Sequence, residues 1–152
     1  MKQILTGLAA LVTVAFLLGP SLGLAQTKTP YQPLTNSEMS ELGIWGQWVE
    51  AFNGMTGKQK AEVMRRHIKM CLDSFEMTEE QRTFVKEASA KFATEEVYST
   101  TDPEKRAALQ RKMQPIQEKA MSLLGQELAV KIFGAKPPLS VLEAIKADPA
   151  FK

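Results

Sequence analysis

Apolar residues recur at spacings of three and four along most of the chain between Thr35 and Gly134. This is the period of an α-helix, in which side chains three and four positions apart share one face. No run of alternating apolar and polar residues bounded by turn signals is present in the sequence, so nothing indicates a β-strand. The pattern predicts an all-α fold, a small bundle of four to five helices arranged as helical hairpins.

The apolar stripes and their interruptions place these helices along the chain. Gly43 and Gly46 fall inside the first helix, which must either be held by docking of its aromatic residues or break near Gly43. Pro115 falls inside the fourth helix and is expected to kink it, or to split it, because proline removes a backbone hydrogen bond. The predicted helices cover about residues 36–52, 57–72, 79–98, 103–134 and 141–147.

Short motifs mark the helix starts independently of the apolar pattern. The chain contains Met-Thr-x-x-Gln twice, at residues 55–59 and 77–81. A threonine or serine followed three residues later by Gln or Glu forms a capping box, in which each side chain bonds a backbone N–H at the helix start. Five such motifs occur between Thr35 and Glu143, and the capping residues they predict are Thr35, Thr56 with Gln59, Thr78 with Gln81, Thr101 and Ser140.

The N-terminal residues have the composition of a secretory signal. Lys2 precedes an apolar run over residues 4–18, a Gly19-Pro20 break and the small-residue pattern that ends at Ala25. This order predicts a signal peptide over residues 1–25 that is cleaved after Ala25; an uncleaved N-terminal anchor is the alternative. The mature protein is therefore expected in the periplasm or outside the cell, with no integral membrane span after cleavage.

The mature chain is long enough for one hydrophobic core and short for two ordinary domains. Residues 26–34 contain two prolines and no apolar period, which predicts a flexible leader. Residues 35–134 form the predicted helical bundle domain. Residues 135–152 are predicted to form a proline-rich turn and a short C-terminal helix.

The charge balance bears on which class of partner to expect. The chain has 19 Lys and Arg against 17 Asp and Glu, and cleavage after Ala25 removes only Lys2, which leaves 18 against 17. A net charge near +1 gives no general reason to expect nucleic acid as the partner.

Cys71 is the single cysteine, so no disulfide forms within the chain. Three roles are compatible with its thiol: burial in the core, a disulfide between two chains, or binding of a soft metal ion. On a helix, Met64, His67 and Cys71 lie on one side, and their side chains suit a copper-type ion. The alternative, which the pattern favours, is that these residues pack in the core; no other cofactor is predicted.

An i, i+4 pair of His67 and Cys71 is also the minimum for an activated thiolate, but no oxyanion site or further catalytic motif is visible in the sequence. We therefore predict no enzymatic activity and no catalytic residues. Basic residues are concentrated on the second helix, either as an ordinary solvated face or as a surface that attracts acidic or unfolded polypeptides. They are Lys58, Lys60, Arg65, Arg66 and Lys69, and Glu62 is the one acidic residue among them.

A signal peptide followed by a helical domain with repeated Leu/Met-Thr-x-x-Gln starts resembles the LTxxQ-motif family of periplasmic stress proteins, which includes the Spy-type chaperones. The resemblance covers the secretion signal and residues 34–98. It implies a thin helical homodimer that shields unfolded polypeptides, or modulates an envelope stress sensor, without ATP. The matching positions are Met55, Thr56 and Gln59, then Met77, Thr78 and Gln81, with Leu34, Thr35 and Glu38 as a looser copy.

Three functions follow as expectations. The first is a non-enzymatic, chaperone-like envelope protein that binds polypeptides through basic and methionine-containing surface, because seven methionines in the mature chain favour adaptable apolar contact. The second is a soft-metal binding or sensing protein centred on His67 and Cys71. The third is a secreted interaction protein of unknown partner that docks through Leu139, Leu142 and Ile145.

Overall fold

The computed structural model describes residues 31–152, and the predicted signal peptide and leader residues 26–30 lie outside this part. The described residues form an all-α fold, as predicted; no helix among them is long and apolar enough to cross a membrane. The helices are α1 (Asn36–Glu41), α2 (Trp45–Asn53), α3 (Gly57–Ser74), α4 (Glu79–Phe92), α5 (Glu95–Ser99), α6 (Pro103–Leu124), α7 (Gln126–Ala129), a π-helix (Val130–Gly134), α8 (Leu139–Ala147) and a 3-10 turn (Pro149–Phe151).

Three predicted capping boxes are confirmed. In each, the threonine hydroxyl accepts from the backbone N–H three residues later, and the side chain at that position accepts from the threonine N–H. The Met-Thr-x-x-Gln repeats are therefore helix starts. The pairs are Thr35 with Glu38 at α1, Thr56 with Gln59 at α3, and Thr78 with Gln81 at α4.

Two predicted caps are wrong. Asp102, and not Thr101, caps α6, because its carboxylate accepts from the two backbone N–H groups that follow Pro103. Ser140 lies inside α8, which begins at Leu139 without a side-chain cap.

The predicted third helix is also wrong in its length, because it divides into α4 and α5. The Ala93 carbonyl accepts from the Arg65 side chain instead of continuing the helix, and the Thr94 hydroxyl caps α5 by accepting from Val97 N–H. Thr94 is not among the caps that the capping-box motifs predict, because no Gln or Glu lies three residues after it.

Glycine sets two corners of the chain. Gly43 (φ 71°) separates α1 from α2, so the first predicted helix breaks there. Gly125 (φ 79°, ψ 162°) ends α6 well before the predicted end at Gly134, in a backbone conformation available almost only to glycine. Pro115 lies inside α6, which continues past it.

Two clusters of buried apolar residues share α3 as their central helix. The first joins α3 to α4, α6, α7 and the π-helix, and the second joins α3 to α1, α2 and α8. The buried members of the first are Ile68, Cys71, Phe84, Val85, Ala120, Leu124, Ala129 and Ile132. Those of the second are Met39, Trp48, Met55, Val63, Leu142 and Ile145.

Both ends of the described chain belong to this packing. Leu142 and Ile145 of α8 are completely buried, so the predicted boundary at residue 134 does not separate the C-terminal helix from the bundle. The prediction of a flexible leader over residues 26–34 is wrong for its last residues. Tyr31 packs on the first cluster, and Leu34 pairs with Lys136 in an isolated antiparallel bridge.

Gly57 is required by the close approach of α3 to α5. A Cβ at this position would lie 2.9 Å from Ser99 Cβ and 3.3 Å from Glu95 O. We expect Gly57→Ala to lower the free energy of unfolding by about 1–3 kcal/mol, because α5 must move to relieve the overlap. Gly46→Ala is the matched control: its Cβ meets nothing within 4 Å, so it should raise stability by about 0.5–1 kcal/mol. Urea denaturation followed by circular dichroism measures both; equal effects would contradict the close approach.

Candidate functional site

An apolar cavity of about 310 Å³ opens between α3, α5, α6 and the π-helix. Ten of its twelve lining residues are apolar or glycine, and three of these are methionines. We call this cavity and its rim the methionine groove. Its lining residues are Met64, Phe92, Tyr98, Met113, Ile116, Gln117, Ala120, Met121, Ala129, Val130, Phe133 and Gly134.

The rim of the methionine groove presents apolar side chains to solvent. Met121 is 49% exposed and Val130 is 39% exposed, although both are large apolar residues. They come from opposite sides of the corner at Gly125, where the chain leaves α6 and enters α7 and the π-helix. Clustered apolar exposure of this kind is typical of a binding surface.

The wall formed by α6 follows from helical spacing. Met113, Ile116, Gln117, Ala120 and Met121 lie three or four residues apart and so share one face. Of these, only Ala120 is fully buried, and no residue of α6 before it is.

Two polar side chains line the groove, Gln117 and Tyr98. The Tyr98 ring packs edge-on against Phe52, with ring centroids 6.1 Å apart. Burial raises the pKa of Tyr98 to about 12, so its hydroxyl is neutral and available as a hydrogen-bond donor at physiological pH.

His67 lies beneath the π-helix that forms one wall of the groove, and its side chain is completely buried. Its Nε2 is 2.8 Å from the Ile132 carbonyl oxygen, and its Nδ1 is 2.8 Å from the Tyr31 hydroxyl. A carbonyl oxygen only accepts, so Nε2 carries the proton and Nδ1 accepts from Tyr31. Burial is the main reason that the pKa of His67 is lowered, and the ring is neutral.

Cys71 is buried beside this ring. Its Sγ lies 3.7 Å from His67 Nε2 and 3.9 Å from Nδ1. Burial raises the pKa of the Cys71 thiol to about 12. The pair predicted from the sequence therefore meets, but the thiol is protonated and neither ring nitrogen is free to act as its base.

The predicted metal ligands do not fit a soft metal ion. Both nitrogens of His67 already have protein partners, the Cys71 thiol holds its proton, and Met64 lines the methionine groove. A metal would need a lone pair on the imidazole and a thiolate. Among residues 31–152, no group of three or more His, Cys, Asp or Glu side chains could hold a metal ion.

The basic residues predicted as a polypeptide-binding surface on α3 contact the protein's own chain. Lys58 donates to the Ala150 carbonyl, and Lys60 lies over the Phe52 ring. These contacts tie α3 to α2 and to the C-terminal turn, so this face has a structural use. Of the other three, Arg65 bonds Glu62 and the Ala93 carbonyl, Arg66 bonds Glu62 and Asp148, and Lys69 pairs with Asp73.

A different basic surface lies along α6, next to the methionine groove. This helix has five basic residues against two acidic ones, Glu104 and Glu118, and all seven are exposed. None of the seven belongs to an ion pair within residues 31–152. The basic residues are Lys105, Arg106, Arg111, Lys112 and Lys119.

The helical spacing of Met113 and Met121 indicates an apolar face on α6, but the sequence gives no sign that this face stays partly uncovered. The walls contributed by Tyr98 and Phe133 depend on the breaks at Ala93 and Gly125, which set the directions of α5 and the π-helix.

Comparisons of the chain with protein-family models, curated proteins and solved structures found no match. The resemblance to the LTxxQ-motif family stays a prediction.

Proposed function

We propose that the mature chain is a non-enzymatic periplasmic or secreted protein that binds apolar segments of other polypeptides in the methionine groove. The observation that carries this proposal is the partly exposed cluster of Met64, Met113 and Met121 with aromatic neighbours. Methionine side chains are unbranched and polarizable, so they repack around different apolar side chains at small cost. This suits a chaperone-like role in the cell envelope, as the family resemblance also implies.

The size and charge of the groove favour a polypeptide segment with acidic residues beside its apolar ones. A volume of about 310 Å³ lies at the lower end of the range of about 300–1,000 Å³ for small-molecule pockets, which suits a few apolar side chains. The exposed surface of α6 has five basic residues against two acidic ones. Complementary charge would speed encounter with an acidic segment and weaken with salt.

Binding of labelled peptides tests the proposal. We expect a leucine-rich peptide flanked by aspartates to bind more tightly than the same peptide flanked by lysines, with the difference shrinking at high salt. Met121→Lys should weaken binding about tenfold, equivalent to about 1.4 kcal/mol, because burying its charge at the apolar rim is more unfavourable than its attraction to the aspartates is favourable. Leu42→Lys is the matched control, since Leu42 is 63% exposed on the turn between α1 and α2, where it lines no part of the groove.

Suppression of the aggregation of an unfolding test protein provides the functional readout. The wild type and Leu42→Lys should suppress aggregation to the same extent, and Met121→Lys should suppress it less. Absence of suppression by the wild type in molar excess would contradict the chaperone-like role. Equal peptide affinity of Met121→Lys and the wild type would contradict the groove as the binding site.

A further inference from the structure

His67, the single histidine of the chain, connects three separate segments. Its ring belongs to α3, its Nδ1 accepts from Tyr31 in residues 31–34, and its Nε2 donates to Ile132 in the π-helix. We call residues 31–34 the N-terminal segment. The Tyr31 and Ile132 bonds span 36 and 65 residues of sequence, so one side chain holds two distant segments against α3.

The bond to Ile132 replaces backbone hydrogen bonds that the π-helix lacks. The Lys136 N–H, four residues after Ile132, donates to the Leu34 carbonyl instead. The residue five positions after Ile132 is Pro137, which has no N–H to donate. The His67 N–H satisfies the buried carbonyl in their place, and without it this carbonyl would lose its partner.

Protonation would change both the bonding and the charge of this ring. A neutral ring with its proton on Nε2 matches both partners, one acceptor and one donor. An imidazolium would present a second N–H to the Tyr31 hydroxyl, which must then turn its own proton away. The bond that holds the N-terminal segment would lose its present geometry.

The surroundings offer no counter-ion for a positive charge on the ring. The Ile132 and Lys131 carbonyls raise the pKa of His67, but burial lowers it by more. The titratable groups that face it are Tyr31 from the N-terminal segment, Cys71 from α3, and Lys136 from the turn after the π-helix. Lys136 is itself cationic, and its charge disfavours an imidazolium. None of the five ion pairs in residues 31–152 includes His67. A buried cation without a counter-ion is costly.

We propose that His67 is a pH-sensitive latch, whose neutral ring holds the N-terminal segment and the π-helix against α3 and whose protonation releases both. Release of the π-helix would move Val130 and Phe133, which line the methionine groove.

The sign of the pH dependence follows from burial. Desolvation lowers the pKa of His67 below its ordinary value of 6.5 in the folded protein, so the unfolded or released state binds the proton more readily. The stabilisation by the neutral ring is fully present above pH 6.5. It is lost as the pH falls from 6.5 towards the lower pKa of the folded state.

Hydrogen exchange and the single imidazole resonance test the latch without any ligand. The Leu34 and Lys136 N–H groups bond each other's carbonyls across the bridge, at 3.1 and 2.9 Å, and report on docking of the N-terminal segment. After correction for intrinsic exchange rates, their protection should fall by up to about tenfold per pH unit below pH 6.5, as for release of one site that takes up one proton. In His67→Gln, which keeps a donor and an acceptor but does not titrate in this range, protection should not change between pH 6.5 and 5.

The two tyrosines of the chain provide a matched pair of conservative variants. Tyr31→Phe removes the donor to Nδ1 and should raise the pKa of His67, because the neutral ring loses a hydrogen bond. Tyr98→Phe removes a hydroxyl from the groove and should leave this pKa unchanged. If His67→Gln does not fold, the Tyr31→Phe titration still decides the question.

Protection of Leu34 and Lys136 that does not change between pH 6.5 and 5 in the wild type would overturn the latch. So would an equal pKa of His67 in Tyr31→Phe and Tyr98→Phe. Neither measurement involves binding in the groove, so failure of the latch is distinct from failure of the proposed function.

Discussion

Replacing Leu142 with alanine is expected to lower the free energy of unfolding by about 2–5 kcal/mol. The Leu142 side chain is completely buried in the second cluster, where α8 packs against α2 and α3. Its truncation removes apolar contacts and leaves a cavity that the surrounding helices fill only in part. The loss is a large fraction of the ~5–15 kcal/mol by which most domains are stable. Urea denaturation followed by circular dichroism measures the change.

Glu143→Ala is the control for the Leu142 substitution, because Glu143 is the next residue of α8 and is exposed. Its effect should stay within about 0.5 kcal/mol. A similarly small effect of Leu142→Ala would mean that α8 contributes little to the stability of the bundle. That result would agree with the predicted bundle domain, which ends at residue 134. That result would also reopen the prediction that Leu139, Leu142 and Ile145 form a docking surface for a partner; two of these, Leu142 and Ile145, are buried.

Trp48→Ala should destabilise the protein by about 3–5 kcal/mol, among the largest effects of any single substitution. The Trp48 ring is 3% exposed and stacks on Phe52, with centroids 4.9 Å apart. Its Nε1 donates to the Pro137 carbonyl at 2.9 Å, a buried hydrogen bond that connects α2 to the turn before α8. Truncation leaves a cavity and an unpaired carbonyl.

Trp48→Phe separates these two contributions. Phenylalanine keeps most of the aromatic packing but has no N–H, so the buried Pro137 carbonyl loses its partner. We expect a loss of about 1–3 kcal/mol from this bond, clearly less than for alanine. The same urea titrations provide the comparison. Equal losses for alanine and phenylalanine would show that the hydrogen bond outweighs the packing, contrary to the expectation.

Helix starts and breaks can be predicted from the sequence, because the interactions that form them join residues close together in the chain. Thr56 and Thr78 cap helices through atoms within three residues, so the motif and the structure coincide. Thr101 and Asp102 are both residue types that cap helices. The structure selects Asp102, whose side chain accepts from two N–H groups of the first turn of α6. The break at Gly43 is one of the two outcomes that the glycines of the first predicted helix allow.

Features that depend on distant residues could not be predicted. Two hydrogen bonds from distant residues hold the π-helix region in place. His67 Nε2–H donates to the Ile132 carbonyl, and the Leu34 carbonyl accepts from the Lys136 N–H. The spacing of Met64, His67 and Cys71 indicates a shared side of α3, but only tertiary packing decides that the imidazole is fully bonded. The methionine groove likewise depends on how α5 and the π-helix are directed after their breaks.

The bridge between Leu34 and Lys136 has a consequence for the order of folding. It joins the beginning of the described chain to its last fifth, and Trp48 finds its carbonyl partner 89 residues downstream. Contacts so distant form late, since a long loop must close before they contribute. A nascent chain that emerges amino end first therefore carries an uncovered aromatic face on α2 until its final residues arrive.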